Sequence, residues 1–249
     1  LKLRDWLKQG PYTLALSSGF FGFFAHFGAL AALEKNNLLP NRISGSSAGA
    51  LAGACWASGC PITNIQNALA RLTKNDFWDP ALGLGLLKGQ LFRDFIQTLC
   101  PVSTIEDCLI PLSISAFDLH SVSTHVLDYG SLSNSVYASC TVPLLFQPIR
   151  IGNGLYFDGG VKDRAGLAGT RAENRILHHH LQSQWPPLFC HLRESNILTR
   201  RPNMISVVIR KLETVGPNRL QNGKKAYQQA ETAFVQALKK PVDINGIFV

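Results

Sequence analysis

The chain is predicted to be an α/β layer sandwich, and three observations carry that prediction. Short apolar strand patterns alternate with helical ones along the chain, the order that stacks helices against a sheet. Two of these alternations, in residues 12–34 and 42–59, are tight strand–turn–helix units with glycines at the turn. The 249 residues are 46% apolar and 16% charged, enough for one large core and too apolar for disorder.

Residues 12–16 are short, apolar and bounded by Pro11 and a Ser-Gly turn, which reads as a buried strand. A helix over 26–34 follows, stopped by Asn36-Asn37 and Pro40. Residues 42–44 are a second strand, and 48–58 a helix closed by Gly59. Ile62, Ile65, Leu69 and Leu72 recur at helical spacing, an amphipathic helix over 62–72, and 91–99 reads likewise. Strands are expected at 111–117 and 123–127, and a short helix ending at 136–140 before Pro143. The turn Gly152-Asn153-Gly154 sits between two β runs and predicts a hairpin over 150–157. Residues 205–209 read as a buried strand and 224–238 as an Ala/Gln-rich helix. No repeat or low-complexity linker divides the chain. One domain over 1–249 is the simplest account, its core in 12–166 and its region 171–249 less defined.

Residues 14–33 carry no charge for long enough to span a bilayer, and Lys2, Arg4 and Lys8 precede them. Gly19 and Gly22 fall where a turn belongs, and two serines and a histidine interrupt the run. A buried strand, turn and helix is the expected reading.

The stretch "GSSAG", residues 45–49, is a G-x-S-x-G match centred on Ser47. A serine on a sharp strand-to-helix turn has strained backbone angles, and side chains two residues to either side would collide. Gly45 and Gly49 remove those collisions, and the following helix adds N–H donors beneath the hydroxyl. Ser46 points elsewhere and packs or caps.

A Ser-His-Asp hydrolase would place an acid and then a histidine downstream. His120, His125, His178, His179, His180 and His191 follow, none in an evident position for that role. The stretch "YFDGGVKDR", residues 156–164, instead sets Asp158 at a strand end before Gly159 and Gly160. Such a rigid carboxylate can meet another loop closely. An Asp-Gly turn also forms with no chemistry at all, the carboxylate bonding its own backbone. Ahead of both lies "SSGFFG", residues 17–22, a strand-to-helix turn whose N–H groups make an anion cradle. Phe20, Phe21, Phe23 and Phe24 suit an oxyanion bordered by an acyl chain better than a dinucleotide phosphate, and no acidic strand end follows about twenty residues on.

Together the three elements resemble the patatin-like phospholipase family, whose order is a glycine-rich oxyanion loop, then G-x-S-x-G, then D-G-G or D-G-A. The phrases "HFGALAALE", "FDLHS" and "ASCTVPLLFQPI" are similar too, and the resemblance covers about residues 12–166. It implies a three-layer α/β/α sandwich with a central mostly parallel sheet. It also implies a Ser–Asp dyad without histidine: Ser47 as nucleophile, Asp158 as general base, and an acyl-enzyme intermediate. The implied oxyanion donors are the N–H groups of Ser18, Gly19, Phe20 and Gly22, and the motif glycines are Gly45, Gly49, Gly159 and Gly160. No cofactor and no metal are implied. A free aspartate with pKa ~3.9 is a poor base for serine, and an apolar pocket would raise it.

The implied substrate is a phospholipid, lysophospholipid or other acyl-ester lipid, met at a membrane surface without spanning it; no nucleic-acid partner is implied. The expected location is cytoplasmic and peripheral to a membrane, with secretion as an effector left open. Two rival readings stand beside it: a soluble esterase or thioesterase with the same dyad, and a weakened lipid-binding protein. Two departures favour the last. Ser17 and Ser18 stand where the family usually has glycine, and no Lys or Arg stands near Phe21.

The formal charge of +8 permits attraction to anionic surfaces. The apolar segment "ALGLGLL", residues 81–87, is a candidate membrane contact. Cys55, Cys60, Cys100, Cys108, Cys140 and Cys190 form no CxxC pair and read as buried free thiols. His26 reads as packed or capping. His178–His180 read as an ordinary surface segment, since alternating strand faces let at most two of them share a ligand. Asp118 and Asp163 read as structural, and Arg193, Arg200, Arg201, Arg210 and Lys211 as a solvated face.

Overall fold

Buried strands put their apolar side chains on whichever face is covered, and the first strand of this protein is covered on both. The computed structural model describes residues 1–171, 173–182 and 198–249. In chain order the elements are α1 (Leu3–Lys8), β1 (Thr13–Leu16), α2 (Phe23–Lys35), β2 (Arg42–Ser46), α3 (Ala48–Ala57) and α4 (Ile62–Arg71). Next come β3 (Gly85–Leu87), α5 (Gln90–Leu99), β4 (Leu112–Asp118), β5 (Ser123–Leu127), α6 (Leu132–Cys140) and β6 (Leu144–Phe146). The chain continues through β7 (Ile149–Ile151), β8 (Gly154–Phe157), β9 (Ile176–Leu181), β10 (Met204–Ile209), α7 (Gly223–Ala237) and β11 (Ile247–Phe248).

The main sheet runs β11-β10-β9-β1-β2-β4-β8-β7, with β5 also paired to β4. Every pairing from β11 to β4 is parallel, while β5, β8 and β7 add antiparallel ladders. The fold is therefore mixed α/β, as the alternation predicts, with the central mostly parallel sheet that the resemblance implies. β1 stands where the order turns back, with β2 on one side and β9 on the other. That is where open parallel sheets place their ligand crevice, at the carboxyl ends of the strands.

Helices α2, α3, α6 and α7 cover one face. Leu14 and Leu16, Ile43, Leu112 and Ile114 meet them in a core shared with α2, α3, α6 and α7. α2 is buried at every position from Phe23 to Leu33, and α3 along its whole length. A helix apolar on all sides needs neighbours on all sides, and α2 has them in α3, α4 and α7. Gly28 makes the α2–α7 approach possible, because a Cβ there would overlap the Tyr227 carbonyl. The opposite face mixes polar Ser44, Ser113, His178 and Ser206 with Ala15, Ile176 and Met204, which form a small second core with Leu167. Residues 163–171 cover part of it: Ser44 Oγ donates to Gly166 O at 2.7 Å, and Asp163 accepts from the N–H groups of Leu167 and Ala168.

Residues 14–33 are thus a strand, a turn and a buried helix. Among the described residues, no helix is long and apolar enough to cross a membrane. His178–His180 correct the surface reading: they lie buried in β9, between β1 and β10. His179 faces α2 and α7, while His178 faces the opposite side and pairs with Ser206 Oγ at 3.1 Å. Three histidines in a row look polar by composition, and burial beneath distant segments leaves no local trace. α1 and the small β3–β6 sheet were likewise not expected. Cys55, Cys60, Cys100, Cys108 and Cys140 are free thiols. Cys190, His191 and Arg193 lie outside the described residues.

Candidate active site

Ser47 occupies the single residue between β2 and α3, with φ 51° and ψ −118°. Few side chains tolerate that conformation, so the surroundings must hold it. A Cβ on Gly45 would stand 2.6 Å from Gly49 O, and one on Gly49 would overlap the Leu16 carbonyl. The elbow therefore closes only with glycine at both places. Its peptide is pinned from α6: Ser47 N donates to Ser139 Oγ at 2.8 Å, and Ser139 Oγ donates to Ser115 O at 2.6 Å. Cys140 Sγ reaches Ser47 O at 3.2 Å. Ser46 is buried with its hydroxyl lacking a hydrogen-bond partner among the described residues, so it packs.

β8 runs antiparallel to β4 and delivers Asp158 beside this elbow. Asp158 N donates to Thr141 O at 2.9 Å, so the end of α6 holds both residues. Ser47 Oγ donates to Asp158 Oδ2 at 2.7 Å, and Gly160 N donates to Oδ1 at 2.7 Å. A Cβ on Gly159 would overlap Ser115 O, which explains the first glycine of Asp-Gly-Gly. Asp158 is 1% exposed. Burial raises its pKa to about 6, against the pull of the Ser47 hydroxyl, the Gly160 N–H and the Arg164 charge.

The third element is the turn after β1. Ser18 N donates to Arg164 O at 2.8 Å, and Gly22 N to Gly19 O at 2.9 Å. Those bonds remove Ser18 and Gly22 from the expected oxyanion donors, because the turn uses their N–H groups to close itself. The N–H groups of Gly19 and Phe20 have no acceptor among the described residues. A Cβ on Gly19 would lie 2.9 Å from Leu181 Cδ1, and one on Gly22 would overlap it, so β9 packs tightly under the turn.

Ser47 opens onto a cavity of about 780 Å³ including its mouth, lined by Gly19, Phe20, Phe21, Leu51, Phe77, Trp78 and Phe146 among others. Nearly all of the lining is apolar. No histidine among the described residues joins it. His26 Nε2 donates to Ser17 O, His120 Nδ1 pairs with Asn153 O, and His125 lies near Asp118. Asp118 accepts from Ser121 Oγ and from the N–H groups of His120, Ser121 and Leu155. These bonds, the Ser121 hydroxyl first, hold its carboxyl well below the usual range and occupy it structurally. No group of three or more potential metal ligands occurs among the described residues.

Residues 14–169 match the description "Patatin-like phospholipase". The chain belongs to the patatin-like phospholipase family. Within it, the chain is 29% identical over 170 residues to an uncharacterized NTE family protein of Mycobacterium tuberculosis, covering 66% of this chain and 47% of that protein. It is 26% identical over 170 residues to lysophospholipase NTE1 of Debaryomyces hansenii, covering 66% of this chain and 11% of that protein. This patatin-like chain thus spans less than half the length of these relatives. Its fold is shared with VipD of Legionella pneumophila, at a TM-score of 0.64 and 14% identity, covering 96% of this chain and 71% of that one.

The contribution of Ser139, Cys140 and Thr141 was not readable from the sequence beyond a phrase similar to the family's. Their roles depend on where α6 ends relative to β2 and β8, which no local pattern encodes.

Proposed function

We propose that this protein is a lipid acyl hydrolase, with Ser47 as nucleophile and Asp158 as general base. The observation that carries the reading is the 2.7 Å bond from Ser47 Oγ to a buried carboxylate at the wall of an apolar cavity. Asp158 takes the hydroxyl proton as Ser47 Oγ attacks the acyl carbonyl. The N–H groups of Gly19 and Phe20 donate to the oxyanion. Collapse breaks the ester bond, and the leaving alcohol takes the proton back from Asp158. Water, deprotonated by Asp158, then attacks the acyl-enzyme, and Asp158 returns that proton to Ser47 Oγ as the fatty acid leaves. The raised Asp158 pKa makes the carboxylate a better base than a solvated one and leaves it ionised at neutral pH.

The aromatic cavity suits a long acyl chain, and the name of the Debaryomyces relative favours phospholipids or lysophospholipids as substrates. Membrane contact has its own support. Leu87 and Phe146 line the cavity, while Leu82, Leu84, Leu86 and Leu144 of the same small sheet and its approach are exposed. Exposed leucines contiguous with an acyl site, on a chain of net charge +8, favour an anionic lipid surface. We also read the chain as one patatin-like domain over 1–249.

The test is a fluorophosphonate probe combined with fatty-acid release from phospholipid and lysophospholipid substrates. Labelling at Ser47 together with release of free fatty acid is expected. A folded protein that neither labels nor releases fatty acid would instead be a lipid-binding member that has lost its activity.

A further inference from the structure

Ser17 is the residue through which two distant elements hold the turn after β1. Its N–H donates to the His179 carbonyl at 3.3 Å, and its Oγ accepts from Leu181 N at 2.9 Å. Its carbonyl accepts from His26 Nε2 at 2.8 Å. His26 Nδ1 lies 2.9 Å from His179 Nδ1, with the rings edge to face. Ser17, His26 and His179 are all fully buried.

Hydrogen-bond logic fixes the protons. A carbonyl oxygen only accepts, so His26 Nε2 carries a hydrogen. Burial keeps both rings neutral, lowering His26 to about 4 and His179 well below its ordinary value. A neutral His26 then has a bare Nδ1, and His179 must donate through its Nδ1–H. His179 Nε2 is left as a buried acceptor with no partner among the described residues, its ring set against Phe234. Apolar side chains would fill this space without that orphan. What the pair supplies is direction.

The direction is given to one peptide group. The peptide between Ser17 and Ser18 is planar, and both its ends are tied: the carbonyl to His26 and the N–H to Arg164 O. The next two N–H groups along the chain belong to Gly19 and Phe20, the pair with no acceptor of their own. Orientation of the first peptide therefore sets where the following two point.

We propose that His26 and His179 form a buried brace that orients the turn after β1, making both positioning residues of the site although neither ring touches Ser47 or Asp158. The inference rests on the reading of Gly19 and Phe20 as oxyanion donors.

Two measurements test it. In parent protein labelled with ¹⁵N-histidine, NMR should show His26 as the Nε2–H tautomer and His179 as the Nδ1–H tautomer. A scalar coupling should join the two Nδ1 atoms across the hydrogen bond. In kinetics, His26→Ala and His179→Leu should each lower kcat roughly 10- to 100-fold with KM held within about twofold, the scale of a misplaced catalytic group. The double variant should fall no further than the worse single one. His179→Asn, which keeps an N–H donor near the Nδ1 position, should recover most of the loss. Other tautomers or an absent coupling overturn the brace. So do single-variant kcat values near the parent's, losses confined to KM, or losses that multiply in the double variant. If His26→Ala or His179→Leu fails to fold, His26→Gln and His179→Asn are read against the same criteria. A parent protein that hydrolyses no ester defeats the catalytic reading, and the NMR result then decides the brace by itself.

Discussion

The Ser47 N–H donates to Ser139 Oγ at 2.8 Å, and this bond spans two elements far apart in sequence. Ser47 sits at φ 51°, a conformation that costs about 1–3 kcal/mol and persists only where neighbours hold it. Ser139 is the neighbour that does so, because its hydroxyl accepts from Ser47 and donates onward to Ser115 O. Ser139→Ala leaves one buried donor and one buried acceptor unpaired. The variant should lose about 1–3 kcal/mol of stability. Its ester hydrolysis should fall by roughly tenfold, since the nucleophile loses alignment but not its base. Urea melts and turnover on one ester check both; a fully active variant would show that the elbow holds itself.

Ser47→Ala should abolish ester hydrolysis and fluorophosphonate labelling, while Ser46→Ala keeps most of both. Ser46 Oγ bonds nothing among the described residues and packs near Gly159, so its loss removes little beyond a few contacts. Mass spectrometry of the labelled peptide separates the two serines directly. Loss of labelling in folded Ser46→Ala alone would move the nucleophile one residue.

Asp158→Asn keeps the shape of the side chain and removes proton acceptance. Turnover should fall by about 10²–10⁴ with folding intact, the usual size of general-base loss. In the parent protein, kcat/KM should fall on the acid side as one ionisation near 6 and stay level above it, because burial raises Asp158 to about 6. Burial pushes His26, His178 and His180 down to about 4, about 3 and about 4, so none of them gives a step near neutrality. A substitution of His120 or His125, which lie outside the brace on the turn after β1, whose loss matches that of Asp158→Asn in a folded protein would disprove the dyad.

The same carboxylate makes stability depend on pH, with a definite sign. Asp158 titrates near 6 when folded and near ~3.9 when unfolded. The folded state therefore holds its proton more tightly, and that stability is present below about 4 and lost as pH rises through about 6. At neutral pH the buried charge costs at most about 3 kcal/mol, which Asp158→Asn removes. Thermal melts should place the variant several degrees above the parent at pH 7.5 and close to it at pH 4. A variant less stable than the parent at both pH values would mean the carboxylate acts mainly as a structural acceptor.

Elements legible in the sequence were those whose cause is local. The elbow was readable because its glycines stand two residues from Ser47, and the structure shows the two backbone overlaps they avert. The hairpin of β7 and β8 was readable from Gly-Asn-Gly, and α4 and α5 from apolar spacing. β9 was not: its histidines look polar, and only His26 on α2, Ser206 on β10 and Phe234 on α7 make the strand a buried one. The turn after β1 was recognised as a whole. Which of its N–H groups stay free depended on Arg164 and on its own closing bond, and neither is visible in "SSGFFG".

The exposed edge of the cavity gives the last prediction. Leu82 is fully exposed, and Leu84, Leu86 and Leu144 are each at least half exposed, in or just before a small sheet whose Leu87 and Phe146 line the cavity. Solvated leucines at an acyl-chain entrance gain free energy only when something apolar covers them, about 1.5–3 kcal/mol for each one fully buried. Replacing Leu84 and Leu86 together by Asp should therefore lower co-sedimentation with anionic vesicles at least about tenfold, even with partial insertion. Raised salt should weaken binding of the parent as well, since part of the attraction comes from the net charge of +8. Hydrolysis of a short, monomeric ester should stay near the parent rate, because neither leucine touches Ser47 or Asp158. Unchanged vesicle binding in the double variant would move the membrane contact elsewhere on the surface. Loss of short-ester activity as well would show instead that the small sheet shapes the cavity itself.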